Sequence, residues 1–274
     1  MPLPPLPSPP LSALRLFGFV KGCFASAFLF TTLLGFNLLQ AASALLLPVS
    51  RRLVRRINRR AANLFWGLCA ALGRMLHGAN IVVTGTQVPA EEEAIVIANH
   101  QQMTDVTFLM FFAQSKRRLG DLKWMLKRSV LYVPGVGWGL YFLDSFFVRR
   151  NWTEDRASIT ATFSRIVRDG IPVWFVSFVE GTRLTLKKLA KSQAYAREKG
   201  LVPLKHLLIP RSKGFVASVE GLKGHITAVY DLTFGYEKGV PSLWQYIQGF
   251  SRRAHIHGRR YPSDALPAEP QALA

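Results

Sequence analysis

Apolar positions change their period along this chain, and each change predicts an element. From Leu11 to Ser50 the sequence is almost continuously apolar. Only Arg15 and Lys21 interrupt it, and Gly22 to Ser50 carries no charge. That run exceeds the ~20 residues a helix needs to cross a bilayer core. It predicts a membrane anchor over 11–50, either one spanning helix or a hairpin of two shorter helices dipping into one leaflet. A cleavable signal fits less well, because the run is too long for a signal's apolar region and ends in arginines. Residues 1–10 are proline-rich and predict a flexible leader. The segment 51–77 opens with six arginines between Arg51 and Arg60, and Ala61 to Leu76 is apolar with Arg74 near its end. It predicts a basic flank and a helix lying along the membrane or packed on the following domain.

From Gly78 onward the apolar runs shorten to strand length. Ile81–Gly85, Ala94–Ala98, Lys123–Leu126, Asp144–Val148, Leu207–Pro210, Ile226–Phe234 and Ala254–His257 all read as strands. Ile171–Val179 is continuously apolar, as a strand covered on both faces is. Helical spacing follows Asp105 and recurs between Asn151 and Gly170, where Asn151 and Glu154 have capping-box spacing. A basic helix is expected from Leu186 to Lys199. Strands alternating with helices predict an α/β fold, a mostly parallel central sheet flanked by helices, over 78–262. Residues 263–274 predict a flexible tail. The stretch Pro134–Gly139 predicts a flexible glycine-rich turn, and it lacks the spacing of a dinucleotide fingerprint.

Charge then narrows the partner. Thirty-five Lys and Arg against 16 Asp and Glu give a net charge of +19 over a chain whose mean hydropathy is +0.17. Such a chain expects an anionic partner, lipid or nucleic acid. The arginine cluster directly after the apolar run favours membrane lipids and no nucleic acid. If that run spans, the positive-inside rule places the domain on the cytoplasmic face of a membrane, the bacterial inner membrane or its equivalent. Cys23 and Cys69 have no metal or redox spacing, and His255 and His257 alternate in a strand without a third ligand, so no metal site is expected.

The candidate chemistry lies at strand ends. Ala94–Ala98 runs into Asn99-His100, and Asp105 follows just before an apolar helix. Two readings fit. Either Asp105 accepts the Nδ1 proton of His100 and leaves Nε2 free as a base, or His100 bonds loop backbone while Asp105 favours a helix N-terminus. The buried run 171–179 ends in Glu180-Gly181-Thr182-Arg183, and Arg149 and Ile209-Pro210 follow other strands.

These blocks together resemble the glycerolipid acyltransferase family that includes 1-acylglycerol-3-phosphate (lysophosphatidate) acyltransferases. His100 and Asp105 match its H-x4-D block and Glu180 to Arg183 its E-G-T-R block. Asp144 to Arg149 resembles the second block, and Ile209-Pro210 the fourth. Val179 stands where many bacterial members have proline, closer to the branch with eukaryotic lysophosphatidate and lysocardiolipin enzymes. The resemblance implies acyl transfer from acyl-CoA or acyl-carrier protein to a lysophospholipid hydroxyl, with no other cofactor. His100 is then the base and Asp105 its orienting group. Arg183 and Arg149 are the implied phosphate contacts, helped by Gly181, Thr182 and Pro210, while Glu180 holds an arginine or the loop in place. Lysophosphatidate is the first expected acceptor and another lysophospholipid the second. A non-catalytic module binding anionic lipid or nucleic acid is the rival from a different class.

Overall fold

The computed structural model of this chain describes residues 2–267, 269 and 272. Seven strands form one sheet: β1 (Asn80–Gly85), β2 (Ala94–Ala98), β3 (Leu122–Lys127), β4 (Phe146–Val148), β5 (Trp174–Phe178), β6 (Ala228–Gly235) and β7 (Arg253–Pro262). Their order is β1-β7-β6-β2-β5-β3-β4. Every pairing is parallel except that of β6 with β7. The expected α/β architecture is therefore what the chain adopts.

Side-chain alternation explains the apolar run through β5. Trp174 and Val176 enter one core with Phe108 and Phe112 of α3 (Thr104–Ser115), while Val173 and Phe175 enter a second core with Phe163 of α5 (Trp152–Arg168). Both faces of the strand are covered, so neither set of positions is polar. The rings of Phe146, Phe163 and Phe175 meet at centroid distances of 4.7 to 5.2 Å, and burying each such ring contributes on the order of 1.5–3 kcal/mol.

Three local expectations are corrected. Leu207–Pro210 is not a strand, because the N–H groups of Leu208 and Ile209 go to the side chains of Glu180 and Ser192 rather than to a neighbouring strand. The glycine-rich stretch contributes to a helix, α4 (Val136–Phe142), and there Gly137 serves close approach. A Cβ on it would lie 2.3 Å from the carbonyl oxygens of Val130 and Leu131. Asn151 does cap α5, accepting from Thr153 N, but its amide donates to Glu154 instead of completing a capping box, and Asp155 takes the Asn151 N–H. The basic helix is α6 (Leu186–Glu198), and two short helices were not anticipated, α7 (Ser212–Gly221) and α8 (Leu243–Gln248).

The apolar amino-terminal segment is one unbroken helix, α1 (Ala13–Ser43), capped by the Ser12 hydroxyl. It is about 46 Å long at 1.5 Å per residue. The basic flank and the amphipathic stretch form a second single helix, α2 (Arg51–His77), capped by Ser50 and stopped by Gly78 at φ 64°. The two run antiparallel: Lys21 Nζ donates to Leu76 O near one end, and Asn58 Nδ2 to Ser43 Oγ near the other. A helical hairpin exists, but α1 and α2 build it, not two halves of 11–47.

Both ends of α1 also rest on the same domain. Phe19 packs edge-on to Trp244 of α8, and Gln40 donates to Gly139 O of α4. The outward face keeps the large apolar side chains of Leu14, Phe17, Phe24, Phe28 and Leu38 exposed. Of the six arginines, Arg55 pairs with Asp144 and Asp169, and Arg59 with Asp121, so these two clamp α2 to the sheet. Arg51, Arg52, Arg56 and Arg60 remain exposed and have no acidic partner among the described residues. Residues 2–10 form no helix; Leu6 N donates to Val240 O, and Val240 N to Pro4 O. The segment 263–274 lies partly outside the described residues.

Candidate active site

The carboxyl ends of β2, β4, β5 and β6 emerge on one edge of the sheet, where open α/β sheets hold their ligands. His100 follows β2 directly. Its Nδ1 lies 3.0 Å from Asp105 Oδ2, and the same oxygen accepts from Gln101 N at 2.6 Å and Gln102 N at 2.9 Å. A carboxylate in this position accepts a hydrogen bond from the imidazole Nδ1–H, which leaves Nε2 as the nitrogen with a free lone pair. Asp105 is fully buried, and the His100 ring stacks on Phe178 with centroids 4.0 Å apart. Features of both readings of this loop are present: Asp105 meets His100 Nδ1 and also accepts from backbone N–H groups next to the start of α3.

Glu180 does not hold an arginine. It lies just beyond β5, and its two carboxylate oxygens accept from His100 N at 2.9 Å and Leu208 N at 3.2 Å. One buried side chain thus ties the histidine loop to the loop carrying Ile209-Pro210. Burial pushes this carboxyl up to about 7, and the two N–H donors oppose that shift. Leu184 N donates to His100 O, and Arg183 to Gln102 Oε1 at 2.8 Å, so the E-G-T-R turn is fastened to the dyad at three points. Gly181 makes the turn at φ 68°, beneath Arg211, whose Cδ would lie 2.9 Å from a Cβ there. Thr182 Oγ1 accepts from Lys188 Nζ at 2.6 Å.

A cavity of about 1520 Å³ runs past His100. Its apolar lining includes Leu33 and Phe36 of α1, Phe65 and Trp66 of α2, and Leu140 of α4. Arg150, Arg183, Lys188, Lys191, Arg211 and Lys213 also line it, and Pro210 borders it as well. Asp155 is the one carboxylate among the described lining residues, and it is occupied by the N–H groups of Arg149 and Asn151.

Arg149, expected at the phosphate, is placed apart from the other expected site residues. Its guanidinium is exposed and paired with Glu154 at 2.8 Å, outside the cavity. Arg150 lines the cavity instead, because the backbone turns at this residue with φ 67°. Burial, and then the nearby Arg211 charge, hold Arg150 below the usual guanidinium range, and neither arginine has an acidic partner among the described residues. Two cations left together in this way favour an anion between them. Gln102, Lys188 and Arg211 were likewise not singled out from the sequence. Trp138 and Tyr141 are exposed on α4 and do not line the cavity. His255 pairs with Glu237 and His257 with Thr84, on the far side strands β1 and β7.

Comparison with known proteins bears on what this cavity does. The family model described as Acyltransferase matches residues 80–230. The mouse and human proteins named 1-acyl-sn-glycerol-3-phosphate acyltransferase gamma are each 34% identical over 245 residues, 87% of this chain and 65% of theirs. The Arabidopsis thaliana 1-acyl-sn-glycerol-3-phosphate acyltransferase 3 is 31% identical over 83% of this chain and 62% of its own length. The chain thus spans just under two thirds of the curated relatives it matches. The crystal structure of the 1-acyl-sn-glycerophosphate acyltransferase PlsC from Thermotoga maritima superposes with a TM-score of 0.53, over 95% of this chain and 90% of that one, at 16% identity. That likeness concerns the fold.

Proposed function

Because this chain belongs to the acyltransferase family, we propose that it transfers a fatty acyl group from an acyl-CoA or acyl-carrier-protein thioester to the free hydroxyl of 1-acylglycerol-3-phosphate, giving phosphatidate. The single observation that carries this reading is His100, hydrogen-bonded to Asp105, on the wall of a cavity whose lining combines apolar side chains with a set of arginines and lysines. An acyl chain suits the apolar side chains and a phosphate the cations.

The acceptor oxygen attacks the thioester carbonyl as His100 Nε2 takes its proton. Asp105 stabilises the imidazolium that forms. The tetrahedral intermediate then expels the thiolate as the carbon–sulfur bond breaks, and the imidazolium returns the proton to sulfur. No protein nucleophile takes part, since the acceptor hydroxyl supplies the attacking oxygen.

Arg150, Arg211 and Arg183 are assigned to the acceptor phosphate, with Gly181 allowing close approach and Pro210 bounding the loop. Arg150→Ala is expected to raise the KM for lysophosphatidate about tenfold or more, the cost of one charge-assisted contact. Arg149→Ala, which breaks only an exposed pair, should leave that KM within about twofold. Steady-state kinetics on both variants checks this, and the reverse ranking would restore Arg149 to the site.

The α1–α2 hairpin is assigned to the bilayer surface. A helix resting on one domain at both of its ends lies along that domain, so the apolar outer face of α1 enters one leaflet while the exposed arginines of α2 meet anionic headgroups. The cytoplasmic leaflet, rich in anionic lipid, is the leaflet we assign.

The test is transfer from labelled acyl-CoA, in detergent and in liposomes, to a panel of lysophosphatidate, lysophosphatidylglycerol, lysocardiolipin and lysophosphatidylcholine. Lysophosphatidate should be acylated with the highest kcat/KM. Preference for another lysolipid would overturn the acceptor, and transfer to none would overturn the reaction.

A further inference from the structure

The Asp105 carboxylate is held unevenly, and the unevenness points to a residue outside every block the sequence singles out. Three donors converge on Oδ2: His100 Nδ1, Gln101 N and Gln102 N. At Oδ1 the partner among the described residues is the Tyr236 hydroxyl, at 2.5 Å. Tyr236 stands one residue beyond β6 and beyond the residues the family model matches.

Anchoring one oxygen does not fix a carboxylate. The torsion about its Cβ–Cγ bond is soft and roughly two-fold, so the plane can swing about an anchored Oδ2. A donor on the second oxygen fixes the plane, and with it the lone pair that meets the imidazole. Tyr236 is well placed for this. Its side chain is buried, and its ring lies 6.0 Å from that of Phe108. Phe234, two residues earlier, exchanges both backbone groups with the Asn99 side chain, at 2.7 and 3.2 Å, and accepts from Gln101 Nε2 at 2.7 Å. The end of β6 and the histidine loop are therefore one rigid unit. Thr104 Oγ1, whose own proton goes to Pro241 O, is a second acceptor 3.3 Å from the phenol, but the Asp105 oxygen at 2.5 Å is nearer and charged, and it takes the stronger hydrogen bond. Burial, and then the Asp105 charge, keep the phenol protonated, well above its ordinary range.

We propose that Tyr236 is a positioning residue, whose hydroxyl locks the Asp105 carboxylate in the plane that orients His100. The proposal rests on the reading of His100 as the base of acyl transfer.

Tyr236→Phe in the full chain keeps the ring and removes only the donor. Expected is a fall in kcat of about 10- to 100-fold, the size of one hydrogen bond to a charged group, with the KM for lysophosphatidate and acyl-CoA within about twofold. Added to Asp105→Asn, the same change should cost less than about twofold, because residues acting as one unit are not additive. Unchanged kcat in the single variant, or the same loss in both backgrounds, overturns the proposal. A second measurement does not depend on turnover. The His100 Nδ1–H proton, observed by NMR in labelled protein, should be far downfield and slowly exchanging, and should lose both properties in Tyr236→Phe while the melting temperature holds. A resonance unaffected by the substitution overturns the proposal even if acyl transfer itself is not found, and a failure of acyl transfer with a shifted resonance counts against the reaction alone.

Discussion

On the proposed reaction, His100→Ala is expected to lower kcat for acyl transfer by about 10³-fold or more, with lysophosphatidate and CoA still bound, as for loss of a positioned general base. The size follows from what remains. The cations lining the cavity are untouched, and no other imidazole lines it among the described residues, so binding survives while the attacking hydroxyl keeps its proton. The backbone N–H of residue 100 still reaches Glu180, so the loop keeps its shape. Calorimetric titration with CoA and single-turnover transfer separate the two effects. Transfer within tenfold of wild type would remove His100 from the mechanism, and lost binding would make its role structural.

Glu180→Gln carries the second large effect, through position and through charge. The amide retains one acceptor oxygen and turns a donor toward either His100 N or Leu208 N, both of which are donors themselves. A kcat loss of about 100-fold is expected from the displaced histidine loop. The charge gives a pH signature. Burial raises the folded pKa of Glu180 from 4.5 to about 7, so folding favours the protonated form. Its contribution to stability is fully present below about 4.5 and is lost as pH rises through about 7. On the order of 3 kcal/mol disappears across that window. Glu180→Gln lacks the titration, and its unpaired donor costs about 1–3 kcal/mol. The variant should therefore be less stable than wild type at pH 5, and the gap should close by pH 8. Denaturant unfolding at the two pH values measures this. A gap that is constant or widens with pH would show that the buried carboxyl is not raised.

Legibility of the site followed distance along the chain. His100 and Asp105 are five residues apart in one loop, so strand end, turn and helix start bring them together whatever the rest of the fold does. The strand, helix, strand alternation and the apolar α1 were legible for the same reason, since period and length are local properties. Arg149 and Arg150 show the limit. Both follow the same short strand, and a single positive φ at Arg150 decides which one turns into the cavity. An arginine gives no sign of adopting that conformation, unlike the glycine at Gly181. Leu207–Pro210 has the composition of a strand, but side-chain acceptors reached its N–H groups first.

By itself the sequence determined the short separation of His100 and Asp105, the E-G-T-R block, the parallel α/β plan and an amino-terminal segment too apolar for water. Tertiary structure alone decided what Glu180 holds, 80 residues from His100, and what braces Asp105, 131 residues away at Tyr236. It also decided that α1 lies along the domain. These contacts depend on strand order, which brings β2, β5 and β6 side by side. Hydrogen bonds between such distant residues leave no periodic trace in a sequence, because each requires only one donor and one acceptor placed by the sheet.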